Sequence, residues 1–407
     1  MNHCCRHGVN CIVPPYMLQK LLESSDGEIR KAAMETLLVT TQLSAIRQLI
    51  GGTKLAALSA GNGERTIYNC GHVQSLPSAT LGRTETGPSS DDDTVNRAFD
   101  GFGTTRDFYK QVFNRNSIDD RGLALTGYVH YGDKFNNAFW DGREMIFGDG
   151  DEQRFTDFTK SIDVIAHELT HGVTQYTADL EYHKQSGALN ESVSDVFGSL
   201  VKQWSLGQTA DQADWLIGVE VFTPGISGDA LRSMKAPGTA YDNDLLGKDP
   251  QPDRMSRWVP LPDTKGGDWG GVHINSGIPN KAFYLTAVGI GGHAWEAPGH
   301  IWYESLLASN ANTQFQDFAD TTYFKAGQLY GTGSDQQQAV LAAWREVEIR
   351  ITGAPTPSAA RRAGAARATN GAARDGDTLA ALTKHIEALA KQVKAIAKDV
   401  ETLKRRK

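Results

Sequence analysis

The segment His167-Glu168-Leu169-Thr170-His171 is the feature that most limits what this chain can fold into. In an α-helix, residues i and i+4 lie on one face, so His167 and His171 can reach a single zinc ion. Glu168 follows the first histidine, and its carboxylate can take a proton from a water beside the metal. A helical histidine pair with a glutamate can also form an ordinary solvated face, so these five residues alone leave both interpretations open.

A second motif, GALNESVSD, occupies residues 187–195 and places Glu191 twenty residues beyond His171. A catalytic zinc needs a third protein ligand and an open fourth position. If residues 190–200 form a helix, Glu191 and Asp195 lie on one face. Glu191 can then bind the metal, while Asp195 accepts the second N–H of a zinc-bound histidine and fixes its tautomer. The alternative is an acidic first turn of a helix, which explains the acids but not their distance from the histidines.

Composition and charge narrow the classes of protein that the chain can belong to. A length of 407 residues allows two or three domains. The sequence contains no run of 18 apolar residues, so no membrane span is predicted. The N-terminus also lacks the apolar run of a signal peptide. Three of the four cysteines lie within the first 11 residues, so the body is not a disulfide scaffold.

The net charge of −7 is unevenly distributed along the chain. Residues 354–407 carry 12 Lys/Arg and 5 Asp/Glu, a net charge of +7, so the remainder carries −14. A basic tail can bind nucleic acid or simply keep the chain soluble. The second interpretation is favoured, and nucleic acid is not an expected partner.

Secondary structure is predicted coarsely from turn signals and apolar spacing. Residues 15–49 predict one or two helices, the first beginning at the Pro14-Pro15 pair. Short alternating runs between residues 66 and 150 indicate a twisted sheet, and helical patterns dominate from Asp163 onward.

Four blocks of the sequence resemble the thermolysin-like zinc metallopeptidases. They are FNNAFWDGREMIFGDGD, the HELTH to NESVSD region, TPGISGDALRSM and DWGGVHINSGIPNKAFYL. The resemblance runs from about residue 66 to 353, and the short leader with PPYML resembles the protealysin-like branch, which has a short propeptide. It implies an α+β two-lobe fold, with a sheet-rich N-terminal lobe, a mainly helical C-terminal lobe and the zinc-binding helix between them. It also implies a zinc-dependent endopeptidase made as a zymogen, which cleaves peptides and proteins.

The expected domain organisation has five parts, of which the first three follow from the resemblance and the last two from composition and heptad spacing. These are a propeptide (1–55), an N-terminal catalytic lobe (56–200), a C-terminal helical lobe (201–353), a disordered linker (354–377) and a coiled-coil helix (378–407). The last part shows a four-heptad seam, formed by Leu379, Leu382, Ile386, Leu389, Val393, Ile396, Val400 and Leu403. This seam predicts a homo-oligomer through residues 379–403, and a helix docked on its own domain is the alternative.

The resemblance also assigns roles to individual residues of the catalytic site. The zinc ligands would be His167, His171 and Glu191, with Glu168 as general base and Asp195 orienting a ligand histidine. Three further residues, His273, its carboxylate partner Asp268, and Tyr182, match the positions that stabilise the negatively charged transition state.

Substrate-binding residues follow from the same resemblance. Asn137 and Ala138 match the edge segment that pairs with the substrate backbone. Arg232 matches the arginine that holds a substrate carbonyl on the leaving side. A hydrophobic pocket for the residue after the cut would be lined by Phe155, Phe158, Val164, Ile217, Val221 and Leu231.

Calcium is a point of departure from the family. Asp163 and Asp214 match calcium-ligand positions, but Lys202 stands where calcium-rich members have a glutamate. Calcium prefers six to eight oxygens. A full double site is therefore not expected, and the Lys202 ammonium is predicted to replace one cation. A single weaker calcium site, near Asp163, Asp214 and Glu220 or using Asp229, is the alternative.

The leader HCCRHGVNC is predicted to lie across the cleft, where the Cys11 thiol would cap the zinc. A separate metal site built from His3, Cys4, Cys5, His7 and Cys11 is the rival, and unbonded cysteines are the third possibility. Family resemblance implies secretion, with cytoplasmic retention as the alternative because no export signal is visible. An inactive tethering scaffold, oligomerised by the coiled coil, is the alternative to an enzyme.

Overall fold

The structure is a computed structural model that describes residues 10–50 and 61–354. The predicted coiled coil, nearly all of the predicted linker, and His3, Cys4, Cys5 and His7 lie outside the described residues, as does the oligomerisation predicted from the heptads. The chain divides into two units after Thr352. Within the described residues, no helix combines the length and apolar character needed to cross a membrane.

A six-stranded mixed sheet forms the N-terminal part of the described chain, as the short alternating runs predict. Its strands are β1 (Asn10–Cys11), β2 (Arg65–Asn69), β3 (Thr80–Thr84), β4 (Leu125–Val129), β5 (Ala138–Trp140) and β6 (Met145–Phe147). Their spatial order is β1-β5-β6-β4-β2-β3. Strands β2, β4 and β6 are neighbours and parallel, whereas β3, β5 and β1 are antiparallel to the strands they contact. The edge strand β1 therefore comes from the leader.

Two leader helices follow this edge strand, which agrees with the sequence prediction. They are α1 (Pro15–Leu21) and α2 (Gly27–Ile50). Pro15 begins the first helix with a φ already suited to the first helical turn. On the sheet lies α3 (Asp93–Phe113), which begins where the Asp92 carboxylate accepts the N–H groups of Thr94 and Val95.

Two buried helices carry the zinc motif and the second acidic motif. Helix α4 spans Ile162–Gln175 and helix α5 spans Lys184–Leu206. They pack closely because Gly198 has no side chain: a Cβ there would lie 2.6 Å from the Asp163 carbonyl oxygen. Since α5 begins well before Glu191, the interpretation of NESVSD as an acidic first turn is wrong.

The C-terminal part is mainly helical, as expected for the second lobe. Its helices are α6 (Asp268–Asn275), α7 (Gly277–Ile290), α8 (Ala297–Leu307), α9 (Phe315–Tyr330) and α10 (Asp335–Glu346). Before them lie two small two-stranded antiparallel sheets, which consist of β7 (Leu216–Ile217) with β8 (Arg232–Ser233), and β9 (Asp242–Asn243) with β10 (Gly247–Lys248). The fold is therefore α+β with a sheet-containing and a helical part.

One ion pair at the end of the sheet makes stability depend on pH. Arg65 contacts both Glu85 carboxylate oxygens, at 2.7 and 2.8 Å, and these hydrogen bonds lower the pKa of Glu85 to about 2. A carboxyl with a lowered pKa stabilises the fold above its unfolded pKa of about 4.3, and this contribution is lost as the pH falls towards 2. We expect Glu85→Gln to lower the free energy of unfolding by about 1 kcal/mol at pH 7, because the substitution removes the ion pair. The effect is no larger because the pair is partly exposed to solvent.

Urea unfolding at pH 7 and at pH 3.5 measures this effect, with Glu168→Gln in every chain to prevent self-cleavage. The difference caused by Glu85→Gln should be smaller at pH 3.5, and the exposed Glu64→Gln should cause almost none at either pH. An equal difference at both pH values would contradict the assignment.

Candidate active site

The two motif histidines and Glu191 meet at one buried point between α4 and α5. The Nε2 atoms of His167 and His171 are 3.0 Å apart, and each lies 3.5 Å from a carboxylate oxygen of Glu191. One ligand atom from each of the three side chains lies within 4.8 Å of the others. The three side chains can therefore hold one metal ion.

Acceptors behind each imidazole fix its tautomer. His167 Nδ1 lies 2.8 Å from Asp195 Oδ1, and His171 Nδ1 lies 2.8 Å from Asn190 Oδ1. The Asn190 amide nitrogen donates to the Leu180 carbonyl, which turns the amide oxygen towards His171. Both Nδ1 atoms therefore carry hydrogen, which leaves the two Nε2 atoms, 3.0 Å apart, as the positions where a metal ion can replace any proton. One metal ion can bind both Nε2 atoms, so the residues fit a metal ion.

The charges around the two histidines also favour a cation. Burial lowers the pKa of His167, but its hydrogen bonds with Asp195 and Glu191 outweigh this and raise the pKa to about 9. Burial opposes ionisation of Glu191, but the charges of His273, His171 and His167 hold its pKa well below the usual range. Two imidazoles and one carboxylate form a donor set that suits zinc, and a catalytic zinc keeps a fourth position open.

Glu168 lies beside this cluster and is fully buried. Its Oε2 accepts the Trp140 N–H at 3.0 Å, whereas its Oε1 has no hydrogen-bond partner within the described residues. Burial raises the pKa of Glu168 to about 8, which Glu191 reinforces and His167 opposes. A carboxylate held by one oxygen, with the other free, is suited to accept and return a proton.

His273, Asp268 and Tyr182 form a connected group that meets the cluster at Glu191. Asp268 Oδ1 accepts from His273 Nδ1 at 2.6 Å, and His273 Nε2 lies 3.1 Å from the Tyr182 hydroxyl. The Tyr182 hydroxyl also donates to Glu191. Burial lowers the pKa of His273, but the charges of Asp268 and Glu191 raise it well above its usual range, so both ring nitrogens are donors. Asp268 and Trp269 have left-handed φ angles of 53° and 50°, which is strain of the kind found at functional sites.

Arg232 contacts the same cluster through Asp195. Its guanidinium donates two hydrogen bonds of 2.8 Å to the Asp195 carboxylate, and Asn280 donates a third at 2.9 Å. Burial would raise the pKa of Asp195, but the Arg232 charge and the His167 hydrogen bond hold it well below its usual range. Asp195 therefore stays ionised while it orients His167.

Three contributors to this site were missed by sequence reasoning: Asn190, Asn280 and the main-chain N–H of Trp140. Asn190 lies next to Glu191 on helix α5, so its place in the NESVSD motif was a usable signal. Asn280 reaches Asp195 from α7, and nothing in its local sequence indicates that contact.

The leader occupies the groove beside these residues as an added strand. Cys11 pairs with Phe139 in antiparallel register, and the Ile12 N–H donates to the Ala138 carbonyl at 3.1 Å. The Asn137 side-chain amide binds both main-chain polar groups of Val13. Its Oδ1 accepts the Val13 N–H at 3.0 Å, and its Nδ2 donates to the Val13 carbonyl at 3.2 Å. Main-chain pairing to a sheet edge is a common mode of peptide binding.

Two of the predicted site residues hold the carbonyl groups of this strand. His273 Nε2 lies 3.0 Å from the Cys11 carbonyl oxygen, and Arg232 Nη1 donates to the Ile12 carbonyl at 3.0 Å. The structure therefore brings Asn137, Ala138, Arg232 and His273 together on one short peptide segment.

The Cys11 thiol is buried, and its Sγ lies 3.6 Å from the Val13 carbonyl oxygen. Burial raises the pKa of this thiol, and His273 opposes the rise. The group of three ligand atoms formed by His167, His171 and Glu191 does not include Sγ. The zinc cap predicted for Cys11 stays a prediction.

The six residues predicted to form the hydrophobic pocket are all at most 1% exposed. They are Phe155, Phe158, Val164, Ile217, Val221 and Leu231. Ile217 pairs with Arg232 between β7 and β8, and the Leu231 N–H donates to the Ile217 carbonyl at 3.0 Å. At least this part of the predicted pocket thus lies next to the arginine that holds the Ile12 carbonyl.

Lys202 lies between the two residues predicted as possible calcium ligands. Its ammonium is 3.3 Å from Asp163 Oδ2 and 2.9 Å from Asp214 Oδ2, and 3.4 Å from the Leu216 carbonyl. Burial lowers the pKa of Lys202, but Asp163 and Asp214 outweigh it and raise the pKa. The lysine therefore stays charged, which supports the prediction that it replaces a cation.

We expect Lys202→Glu to make the fold depend on calcium. The change removes the positive charge between Asp163 and Asp214 and adds a carboxylate, so buried like charges destabilise the protein by about 3 kcal/mol. Added calcium should restore the melting temperature, because carboxylate oxygens are its preferred ligands.

Thermal melting with and without millimolar calcium tests this prediction, with the exposed Lys235→Glu as control. The wild-type melting temperature should not respond to calcium. A wild-type protein that needs calcium for its stability would show that Lys202 does not replace the ion.

Comparison with known proteins agrees with this geometry. Residues 57–175 match the family described as thermolysin metallopeptidase, catalytic domain, and residues 178–349 match its alpha-helical domain. An extracellular metalloprotease of Pectobacterium carotovorum subsp. carotovorum is 46% identical over 343 residues, which cover 84% of this chain and 96% of the relative. Protease PrtS of a Photorhabdus species is 46% identical over 347 residues, covering 84% of this chain and 92% of the relative.

A solved structure shares the fold as well as the sequence. The precursor of protealysin, a metalloproteinase from Serratia proteamaculans, superposes with a TM-score of 0.75 at 46% identity, covering 84% of this chain and 99% of its own. The chain therefore belongs to the thermolysin-like zinc metallopeptidases and is a metalloendopeptidase.

Proposed function

We propose that the chain is the zymogen of a zinc endopeptidase in which His167, His171 and Glu191 hold the metal and Glu168 is the general base. The observation that carries this proposal is the convergence of the His167 and His171 Nε2 atoms, 3.0 Å apart and each 3.5 Å from a Glu191 carboxylate oxygen. Beside them lies the buried Glu168 carboxylate, whose Oε1 has no hydrogen-bond partner within the described residues. Zinc bound there would supply Lewis-acid chemistry, polarising the scissile carbonyl and activating a water.

Glu168 would move the proton in this reaction. Its Oε1 would accept a proton from the attacking water and then return it to the nitrogen of the leaving amine. The Trp140 N–H holds Oε2 and keeps the carboxylate in place through both transfers.

Tyr182 and His273 would stabilise the negative charge that develops on the carbonyl oxygen. Both are donors, and their polar atoms are 3.1 Å apart on the same side of the cluster. Asp268 keeps His273 charged and fixes its ring plane. Preorganised donors of this kind lower the barrier because they need no reorganisation during the reaction.

Peptide substrates would bind as the leader does. The Cys11 carbonyl would mark the position of the scissile carbonyl, since His273 reaches it, and Ile12 would mark the first residue after the cut. Asn137, Ala138 and Arg232 would then hold the backbone of the leaving side.

The specificity would be for large hydrophobic residues after the scissile bond. The predicted pocket residues are all apolar, and a fully buried isoleucine lies at the corresponding leader position. Digestion of an unbiased peptide mixture by the processed enzyme, analysed by mass spectrometry, tests both function and specificity. We expect cuts mainly before Leu, Ile, Phe and Val. No cleavage by the processed wild type would overturn the proposal.

Latency would follow from the leader, which fills the substrate groove. We expect Ile12→Asp to abolish latency, because a carboxylate at this buried position costs several kcal/mol and displaces the strand. The precursor of this variant should hydrolyse a short fluorogenic peptide at close to the rate of the processed enzyme. Wild-type precursor and the exposed leader variant Glu23→Gln should be slow.

Cys11→Ser tests in the same assay whether latency depends on the Cys11 thiol or on the main-chain pairing of the leader strand. If the thiol caps the zinc, the Ser variant should lose latency although its main chain can still pair with β5. Unchanged latency and zinc content would reject the cap and leave inhibition to the strand alone.

Secretion is proposed because the Pectobacterium relative is named an extracellular metalloprotease. Mass spectrometry of the N-terminus from cell and medium fractions tests this location and also identifies the maturation cut. The homo-oligomer predicted through residues 379–403 stays a prediction, which sedimentation of the full chain tests.

A further inference from the structure

A second cluster of metal-binding side chains lies at the carboxyl ends of the three parallel strands. His72 comes three residues after β2 ends, His130 follows β4 directly, and Asp149 comes two residues after β6. Because β2, β4 and β6 are neighbours in the sheet, their ends meet along one edge. Such edges commonly bind ligands in sheets of this kind.

The backbone holds the two histidines next to each other. The His72 N–H donates to the His130 carbonyl at 2.9 Å, and the Cys70 N–H donates to the Val129 carbonyl at 2.9 Å. These hydrogen bonds extend the pairing of β2 and β4 beyond the strands. His72 has a left-handed φ of 63°, which turns the chain at this point.

The side chains converge on one carboxylate. Asp149 Oδ2 lies 2.7 Å from His130 Nδ1 and 3.3 Å from His72 Nδ1. One ligand atom from each residue lies within 4.8 Å of the others, as is also true of His167, His171 and Glu191. Asp149 Oδ1 is buried and has no hydrogen-bond partner within the described residues.

A further carboxylate supports His130 from its other ring nitrogen. Asp92 Oδ2 lies 2.9 Å from His130 Nε2, and the Asn69 amide donates to the same oxygen at 3.0 Å. Asp92 is itself fixed as the residue that caps α3. If Asp92 accepts the Nε2–H, the Nδ1 lone pair of His130 faces the other two ligands, as in carboxylate–histidine–metal arrangements.

We propose that His72, His130 and Asp149 form a second metal site, separate from the catalytic one, that binds a divalent transition-metal ion such as zinc. Two imidazoles with one carboxylate favour such an ion over calcium, which prefers six to eight oxygens. The His72 side chain is 58% exposed, so the ion can enter from solvent and solvent can complete its coordination. Bound there, the ion joins the ends of β2, β4 and β6 and stabilises the sheet whose strand β5 pairs with the leader strand β1.

The competing interpretation is a metal-free ion pair, in which a charged His130 bridges Asp92 and Asp149. Counting zinc atoms separates the two. Full-length chain carrying Glu168→Gln is saturated with zinc at pH 7.5, desalted and analysed for zinc per chain by mass spectrometry. The same measurement is made after adding His72→Asn, which removes the imidazole but tolerates the left-handed backbone.

We expect His72→Asn and Asp149→Asn each to bind one zinc fewer per chain than the parent, and the exposed neighbour Val73→Ala to bind the same number. Zinc bound by the leader cysteines would raise all counts equally and leave the difference unchanged. Zinc should also raise the melting temperature of the parent more than that of His72→Asn. Equal zinc counts in parent and His72→Asn, or an equal loss in Val73→Ala, would overturn the proposal.

Discussion

Substituting Glu168 with Gln is expected to lower kcat/KM for peptide hydrolysis by about 10²–10⁴-fold without removing zinc. Glutamine preserves the size of the side chain and can still accept the Trp140 N–H, but it cannot accept and return a proton. Glu168 is fully buried, and its Oε1 has no hydrogen-bond partner among the described residues, so this oxygen is available to take the proton.

Kinetics of the processed enzyme with a fluorogenic peptide measure this effect. Zinc content, measured on the same samples, should be unchanged, because Glu168 is not one of the three ligands. The exposed Glu64→Gln is the matched control and should retain wild-type kinetics. Loss of zinc in Glu168→Gln would indicate that Glu168 acts through the metal site instead.

Substituting Arg232 with Met is expected to affect both stability and catalysis. Arg232 is the buried countercharge of Asp195, and its removal leaves that carboxylate with only neutral donors and His167. Breaking a buried pair in this way costs about 3–5 kcal/mol. Asp195 also orients His167, so the apparent zinc affinity should fall by about 10–100-fold.

Chemical unfolding and zinc competition with a chelator measure these two effects. Arg232→Lys should recover part of the stability, because it restores a charge, but not the paired hydrogen bonds. Arg257→Met, which removes an exposed arginine, should have little effect. A folded Arg232→Met with wild-type stability would contradict the role of Arg232 as countercharge.

The sequence predicts site contacts well where spacing within one helix decides the geometry, and poorly where the contact depends on how separate helices pack. His167 and His171 share α4, and Glu191 and Asp195 share α5, so helical periodicity was enough to group each pair. Packing of α5 on α4 at Gly198 then joins the two pairs. The contact of Asn280 with Asp195 depends on how a third helix packs, which no local pattern encodes.

The leader also makes contacts that no local sequence pattern predicts. Its Pro-Pro pair and short length predicted a propeptide, and helices α1 and α2 agree with the predicted helical region. That Asn10 and Cys11 form an edge strand, with the Cys11 carbonyl rather than the thiol contacting His273, was not predicted. Two residues are too short for a period-two pattern, so the pairing is visible only in three dimensions.

Lys202 was predicted from a difference with the family rather than from a pattern in the chain. A buried lysine between two aspartates has no distinctive local sequence, because Asp163, Lys202 and Asp214 are far apart along the chain. The role of Lys202 was predicted from its position, where a positively charged side chain replaces the glutamate of calcium-rich family members.

Restoration of proteolysis by zinc tests most directly whether this chain hydrolyses peptide bonds at the described site. The processed enzyme is stripped with a strong chelator, and casein cleavage is then measured before and after zinc is returned. We expect no cleavage by the stripped protein, recovery with zinc, and no recovery in Glu168→Gln. Cleavage by the stripped enzyme at the full rate, or by zinc-loaded Glu168→Gln at the wild-type rate, would contradict the proposed site.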